Sequence, residues 1–211
     1  MNLKLLIAFV FASSSLYAQS KEEVALNNLA VSLMDNGNYK EALAHLDKLT
    51  ASDQDNFVYR YNRAVTLFNL KKYSESIADY KYLHELLPEQ TEYVFQIGNA
   101  YEQLDSANLA ISFYTKAIEM DKDHFMYFFK RGTVLLKQNE FEKAAADFTS
   151  SIELNPKHHN SIHNRGITFY KLGQQSKACE DWCEASLLGN PYSGHHFNQN
   201  CSQSPACITV K

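Results

Sequence analysis

A step of 34 residues runs through most of this chain and constrains its fold more strongly than any other feature. Units beginning at Glu23, Phe57, Thr91, Phe125 and His159 follow one another with no insertion or deletion. The eighth place of each unit holds Ala30, Ala64, Gly98, Gly132 and Gly166, and the twentieth holds Ala42, Ser76, Ala110, Ala144 and Ala178. All are small, as a close helix crossing requires. Four places further on stand Leu46, Tyr80, Tyr114, Phe148 and Trp182, all large and apolar or aromatic. In the unit from Thr91 to His124, Ile97, Gly98 and Tyr101 share one face of a first helix. Ala110, Tyr114 and Ala117 share the facing side of a second, because residues three and four apart form one stripe. The stretch from Leu104 to Ala107 is long enough for a tight antiparallel turn. A lone hairpin leaves one face of its second helix bare, so such units must stack.

With its period and its alternation of small and large places, the chain resembles the tetratricopeptide repeat (TPR) family from Glu23 to about Tyr192. The resemblance implies an all-α fold: a right-handed α-solenoid of five helix-turn-helix repeats, spanning residues 19–192 as one continuous stack. Single units depart from the family pattern. The closing proline is present at Pro88 and Pro156 but replaced by Gln54, Lys122 and Asn190. The turn glycine is kept at Gly37 and Gly173 and replaced by Lys71, Asp105 and Asn139, residues that serve a helix end at modest cost. The early aromatic of the first helix is Phe128 in the fourth unit and Arg60 in the second.

The two ends carry different signals. Residues 1–18 read as a secretory signal peptide, with a basic start at Lys4, an apolar run from Leu5 to Ala12 and a cut after Ala18. That run is too short for the roughly 20 apolar residues of a membrane-spanning helix, and no cysteine follows Ala18 to carry a lipid anchor. The expectation is an exported protein, periplasmic or secreted. Lys and Arg number 20 against 24 Asp and Glu, a net charge of −4. With no basic stripe, nucleic acid is not an expected partner.

All the cysteines lie late, with Cys179 and Cys183 in the last repeat and Cys201 and Cys207 in the tail. An even count at one end of an exported chain reads as disulfides. Cys179 and Cys183 stand one helical turn apart, and a helix cysteine is better placed to meet the tail than its own neighbour. Which cysteine pairs with which stays open. The tail, residues 193–211, holds Gly194 and Pro205 among several Asn and Ser. It reads as an irregular cap pinned by its cysteines.

His158, His159 and His163 cluster at the start of the fifth unit, with His195 and His196 in the tail. Histidines four apart can ligate zinc, but no acidic residue completes a zinc motif, so neither a metal nor a cofactor is expected. No nucleophile pattern and no Gly-rich phosphate loop is present, and no enzyme is expected.

The family resemblance further implies that the first helices line a concave groove. The second unit then offers Tyr61, Val65, Phe68 and Asn69, and the third Phe95, Asn99, Glu102 and Gln103. The fourth offers Phe129, Thr133, Leu136 and Lys137, and the fifth His163, Ile167, Tyr170 and Lys171. Aromatic and amide groups of this kind suit a partner peptide or helix, although any one aromatic is equally open to a role in packing between repeats. The family's carboxylate clamp is not expected, since Asn27 and Val31 stand at its places. The expected function is a non-enzymatic protein-interaction scaffold of a bacterial cell envelope. The alternative is an exported carrier for a soluble peptide or glycan.

Overall fold

The structure, a computed structural model, describes residues 21–201, and every described element is helical. The signal-peptide reading and Cys207 therefore lie outside the described residues. Helix α1 covers residues 21–35. Then follow α2 (Tyr39–Ser52), α3 (Phe57–Asn69), α4 (Tyr73–Leu86), α5 (Thr91–Gln103) and α6 (Ala107–Met120). The remainder are α7 (Phe125–Lys137), α8 (Phe141–Leu154), α9 (His159–Lys171), α10 (Gln175–Leu187) and α11 (Ser193–Asn200). The described residues fall into two compact units, divided after Pro88.

Each hairpin turns on the same backbone device. Gly37, Lys71, Asp105, Asn139 and Gly173, the fifteenth residue of each repeat, have φ of 76°, 61°, 53°, 60° and 73°. This is the left-handed region, which ends a helix by letting the next amide reach back over the last turn. In the third repeat Ser106 N donates to Tyr101 O at 2.9 Å, and Lys72 N does the same to Leu67 O in the second. Asn and Asp tolerate this conformation, whereas at Lys71 the Cβ is strained.

Inside each hairpin the small residues meet the large ones. Ala30, Ala42, Ala64, Ser76, Ala110, Ala144 and Ala178 are 0 % exposed, and Leu46, Tyr80, Tyr114, Phe148 and Trp182 at most 1 %. A Cβ on Gly98 would stand 2.7 Å from a ring carbon of Tyr114, and one on Gly166 2.8 Å from Trp182. The Tyr114 ring is fully buried with its hydroxyl hydrogen-bonded, so it cannot swing aside. Gly98→Ala is therefore expected to lower stability by about 2 kcal/mol. A drop in hydrogen-exchange protection across α5 and α6 measures it, and unchanged protection there would mean that the crossing has slack.

The C-terminal end departs from expectation. Ser193–Asn200 is a helix, not an irregular tail, and tertiary contacts make it so. Asn190, standing where the repeat proline is missing, is 5 % exposed. Its Oδ1 accepts from Tyr192 N, Ser193 N and Ser193 Oγ, each at 3.0 Å, and its Nδ2 donates to Asn160 Oδ1 at 3.1 Å. One buried amide thus sets the turn that starts α11. A disulfide between Cys179 on α10 and Cys201 fixes the other end, with Cα atoms 5.7 Å apart. Cys183 is disulfide-bonded as well.

Candidate functional site

The first helices α3, α5, α7 and α9 carry the residues expected to form a binding groove, and packing treats them unequally. In the first compact unit, Tyr61 is half-buried and meets Tyr80 edge-on, with ring centroids 6.1 Å apart. Val65 and Phe68 are also half-buried, the latter against Tyr73 at 5.3 Å. Asn69 is exposed and turns its amide onto Val65 O at 2.9 Å.

In the second compact unit two of the expected residues prove inaccessible. Phe95 is only 8 % exposed and packs against Tyr114 and Tyr127, with centroids 5.7 and 4.8 Å away, so it is a core residue between hairpins. His163 is 7 % exposed because α11 lies over it, with Nδ1 2.7 Å from Ser193 Oγ. Phe129 is half-buried between Phe148 and His158. Thr133 is half-buried and spends its hydroxyl on Phe129 O. Gln103 and Lys137 are exposed, and Tyr170 is 43 % exposed beside Trp182.

A polar cluster joins α5, α6 and α7. The Glu102 side chain is 10 % exposed. It accepts from Tyr114 Oη at 2.9 Å, Lys137 Nζ at 3.1 Å and Lys130 Nζ at 3.4 Å. Tyr114 Oη also lies 2.8 Å from Asn99 Oδ1. Burial by itself raises the Glu102 pKa, but Lys130, Lys137 and the Tyr114 hydroxyl together outweigh it and hold the carboxyl below its ordinary range. Beside this cluster lies a hollow of about 200 Å³ lined by Glu102, Val134, Lys137 and Gln138. A larger cavity of about 480 Å³ lies on the second-helix side, lined by Ile111, Thr115, Arg131, Leu135 and Lys143 among others.

A ladder of ion pairs was not read from the sequence. Arg63, Arg131 and Arg165 each grip an aspartate sixteen residues on, namely Asp79, Asp147 and Asp181, through paired bonds of 2.7 to 2.9 Å. Each arginine also reaches back to the preceding repeat: Arg63 to Asp47 and Thr50, Arg131 to Thr115, Arg165 to Thr149. The signal was available as a constant spacing at the seventh and twenty-third places, which Ile97 and Phe113 fill in the third repeat. These arginines are committed to the fold and are not free to meet a ligand.

The histidines take structural positions. His196 stacks on Trp182 with centroids 5.0 Å apart, and His163 lies 5.4 Å from His196. Burial, together with the nearby His196 and His159, pushes the His163 pKa down to about 4. Among the described residues, no group of three or more His, Cys, Asp or Glu is arranged to hold a metal ion. No described helix is long and apolar enough to cross a membrane.

Stacked helical hairpins with a small-on-large crossing in each define a helical repeat protein. The chain belongs to the tetratricopeptide repeat family. The family model described as the N-terminal TPR repeats region of Psidin matches residues 31–146, and one described as Tetratricopeptide repeat matches residues 129–193. No curated protein matches the chain. Among solved structures it is similar to YrrB, described as a TPR protein with an unusual peptide-binding site, at 19 % identity and a TM-score of 0.69. That match covers 89 % of this chain and 97 % of YrrB. It is also similar to MamA from Desulfovibrio magneticus RS-1, at 15 % identity and a TM-score of 0.72, over 79 % of this chain and 94 % of MamA. At these identities the likeness establishes the shared fold.

Proposed function

We propose that this protein is a non-catalytic interaction scaffold that holds a partner's peptide or helix against its first-helix faces. The observation that carries this reading is the mixed surface of α7 and α9. There Lys137 and Tyr170 are exposed beside the half-buried Phe129, Thr133 and Ile167. Apolar footing with polar neighbours at helical spacing suits an extended or helical segment. The peptide-binding site of YrrB offers a precedent on the same fold. A small-ligand carrier that uses the first-helix faces is less favoured, since the hollow beside Glu102, at roughly 200 Å³, falls short of the roughly 300–1,000 Å³ of ligand pockets, and the cavity of about 480 Å³ lies on the second-helix side.

Export to the cell envelope or beyond belongs to the same proposal. The Cys179–Cys201 bridge supports it, because such bonds persist in oxidising compartments. A photo-crosslinking residue at Tyr170, compared with one at the exposed Ala146 of a second helix, tests the binding face. Protein adducts formed at Tyr170 in living cells, and not at Ala146, are the expected result. Adducts at Ala146 alone would move the binding face to the second helices. Fractionation of the same cells tests export.

A further inference from the structure

We propose that α11 is an acid-opened latch over the fifth repeat, which melts locally and uncovers His163 and Trp182 while the Cys179–Cys201 bridge keeps it tethered. This inference is independent of what binds the first-helix faces. The helix has only 8 residues, and Ser193 is its one fully buried side chain. A helix of that length is marginal without tertiary support. Its support comes from hydrogen bonds, stacked rings and a single apolar contact, Phe197 against the cluster of Ala178, Cys179, Trp182 and Cys201. Ser193 Oγ donates to Asn190 Oδ1 and so accepts from His163 Nδ1–H, a chain that fixes the neutral tautomer. His196 lies flat on Trp182, whose indole N–H is buried with no acceptor. A buried orphan donor weakens the closed state, and opening gives it water or a partner's carbonyl.

The surroundings determine the sign of the pH response. From α9 itself His159 stands one turn before His163, and from the α11 segment His196, His195 and Tyr192 approach. From α10 the interface presents Trp182, while Asp181 is bound to Arg165 at 2.8 Å. From α7 the contact is Phe129 with the His158 ring, and from α8 Ser151 meets Ser161 while Thr149 and the Glu153 carboxylate face Arg165 rather than His163. Acid therefore gathers like charge around a buried ring. The closed latch favours neutral His163, so its stability is fully present above the ordinary histidine pKa of about 6.5 and is lost as pH falls toward about 4.

Hydrogen exchange of the α11 amides and acrylamide quenching of Trp182 test the latch in the oxidised full chain, whose only tryptophan this is. Opening is expected to rise roughly 30-fold between pH 7.5 and pH 5 from His163 alone, while α5 to α8 keep their protection. Loss of protection in α11 and α5 to α8 together would overturn the proposal. His163→Asn keeps a side chain able to bond Ser193 but unable to titrate, and is expected to remove most of the rise. Should that variant leave α11 open at every pH, the His163 ring shift in the unaltered protein decides. Titration near 4 supports the latch, and titration near 6.5 with α11 protected throughout overturns it.

Discussion

Asp79→Ala is expected to destabilise the first compact unit by about 3–5 kcal/mol, a large share of the stability of any domain. Asp79 is 3 % exposed and receives Arg60 Nη1 at 3.1 Å, Arg63 Nε at 2.8 Å and Arg63 Nη2 at 2.7 Å. Truncating it takes the buried carboxylate from two guanidinium groups whose side chains are only 14 % and 23 % exposed, leaving Arg63 with Thr50 and the exposed Asp47 and Arg60 with Gln54 O. Desolvated charge that has lost its close counter-ion accounts for the cost, which exceeds the net worth of the pair itself. Glu75→Ala, which breaks the exposed Lys72–Glu75 pair, is expected to cost under about 0.5 kcal/mol. Hydrogen exchange across α2 to α4 reads both, and equal losses would remove the ladder from any structural role. The third repeat shows how such a site is replaced rather than broken, since Ile97 and Phe113 are both apolar. The double change Arg131→Ile with Asp147→Phe should accordingly cost less than Asp147→Ala alone.

Replacing Cys179 and Cys201 together by serine is expected to cost about 3 kcal/mol, concentrated in α9 to α11. The bridge spans a sequence separation of 22, and closing a loop of that size restricts the unfolded chain by about this amount. A shift of the urea midpoint followed by Trp182 emission measures it, with hydrogen exchange locating the loss. An unchanged midpoint would mean that the protein does not carry the bridge. Because repeats couple mainly to their neighbours, α5 and α6 should feel little of the change.

The register of the hairpins was legible because it depends on side-chain size at fixed spacing. Gly98 cannot carry a Cβ against Tyr114, and Ala110 is fully buried, so each unit announces its own crossing. The binding face was legible only in part. Phe95 and Phe129 occupy the same place in successive repeats, yet the first is buried by Tyr127 and the second remains partly open. The difference lies in neighbours outside the repeat, which a one-dimensional pattern does not specify. His163 was misread for a related reason, since its cover is a helix formed by a segment of low helical propensity.

The sequence by itself determined the helical period, the small-on-large crossing of every hairpin and the positions of the turns, down to Lys71, Asp105 and Asn139 in left-handed conformation. These are local matters of volume and backbone geometry, repeated at a constant step. Only the tertiary structure decided that Asn190 starts a helix, that Cys179 meets Cys201, and that Glu102 lies between two lysines. It also decided that the arginines of the seventh place bridge successive repeats. Apart from the local turn at Asn190, itself held by Asn160, these join residues well separated in the chain, and whether a polar group is satisfied depends on the partner that folding brings to it.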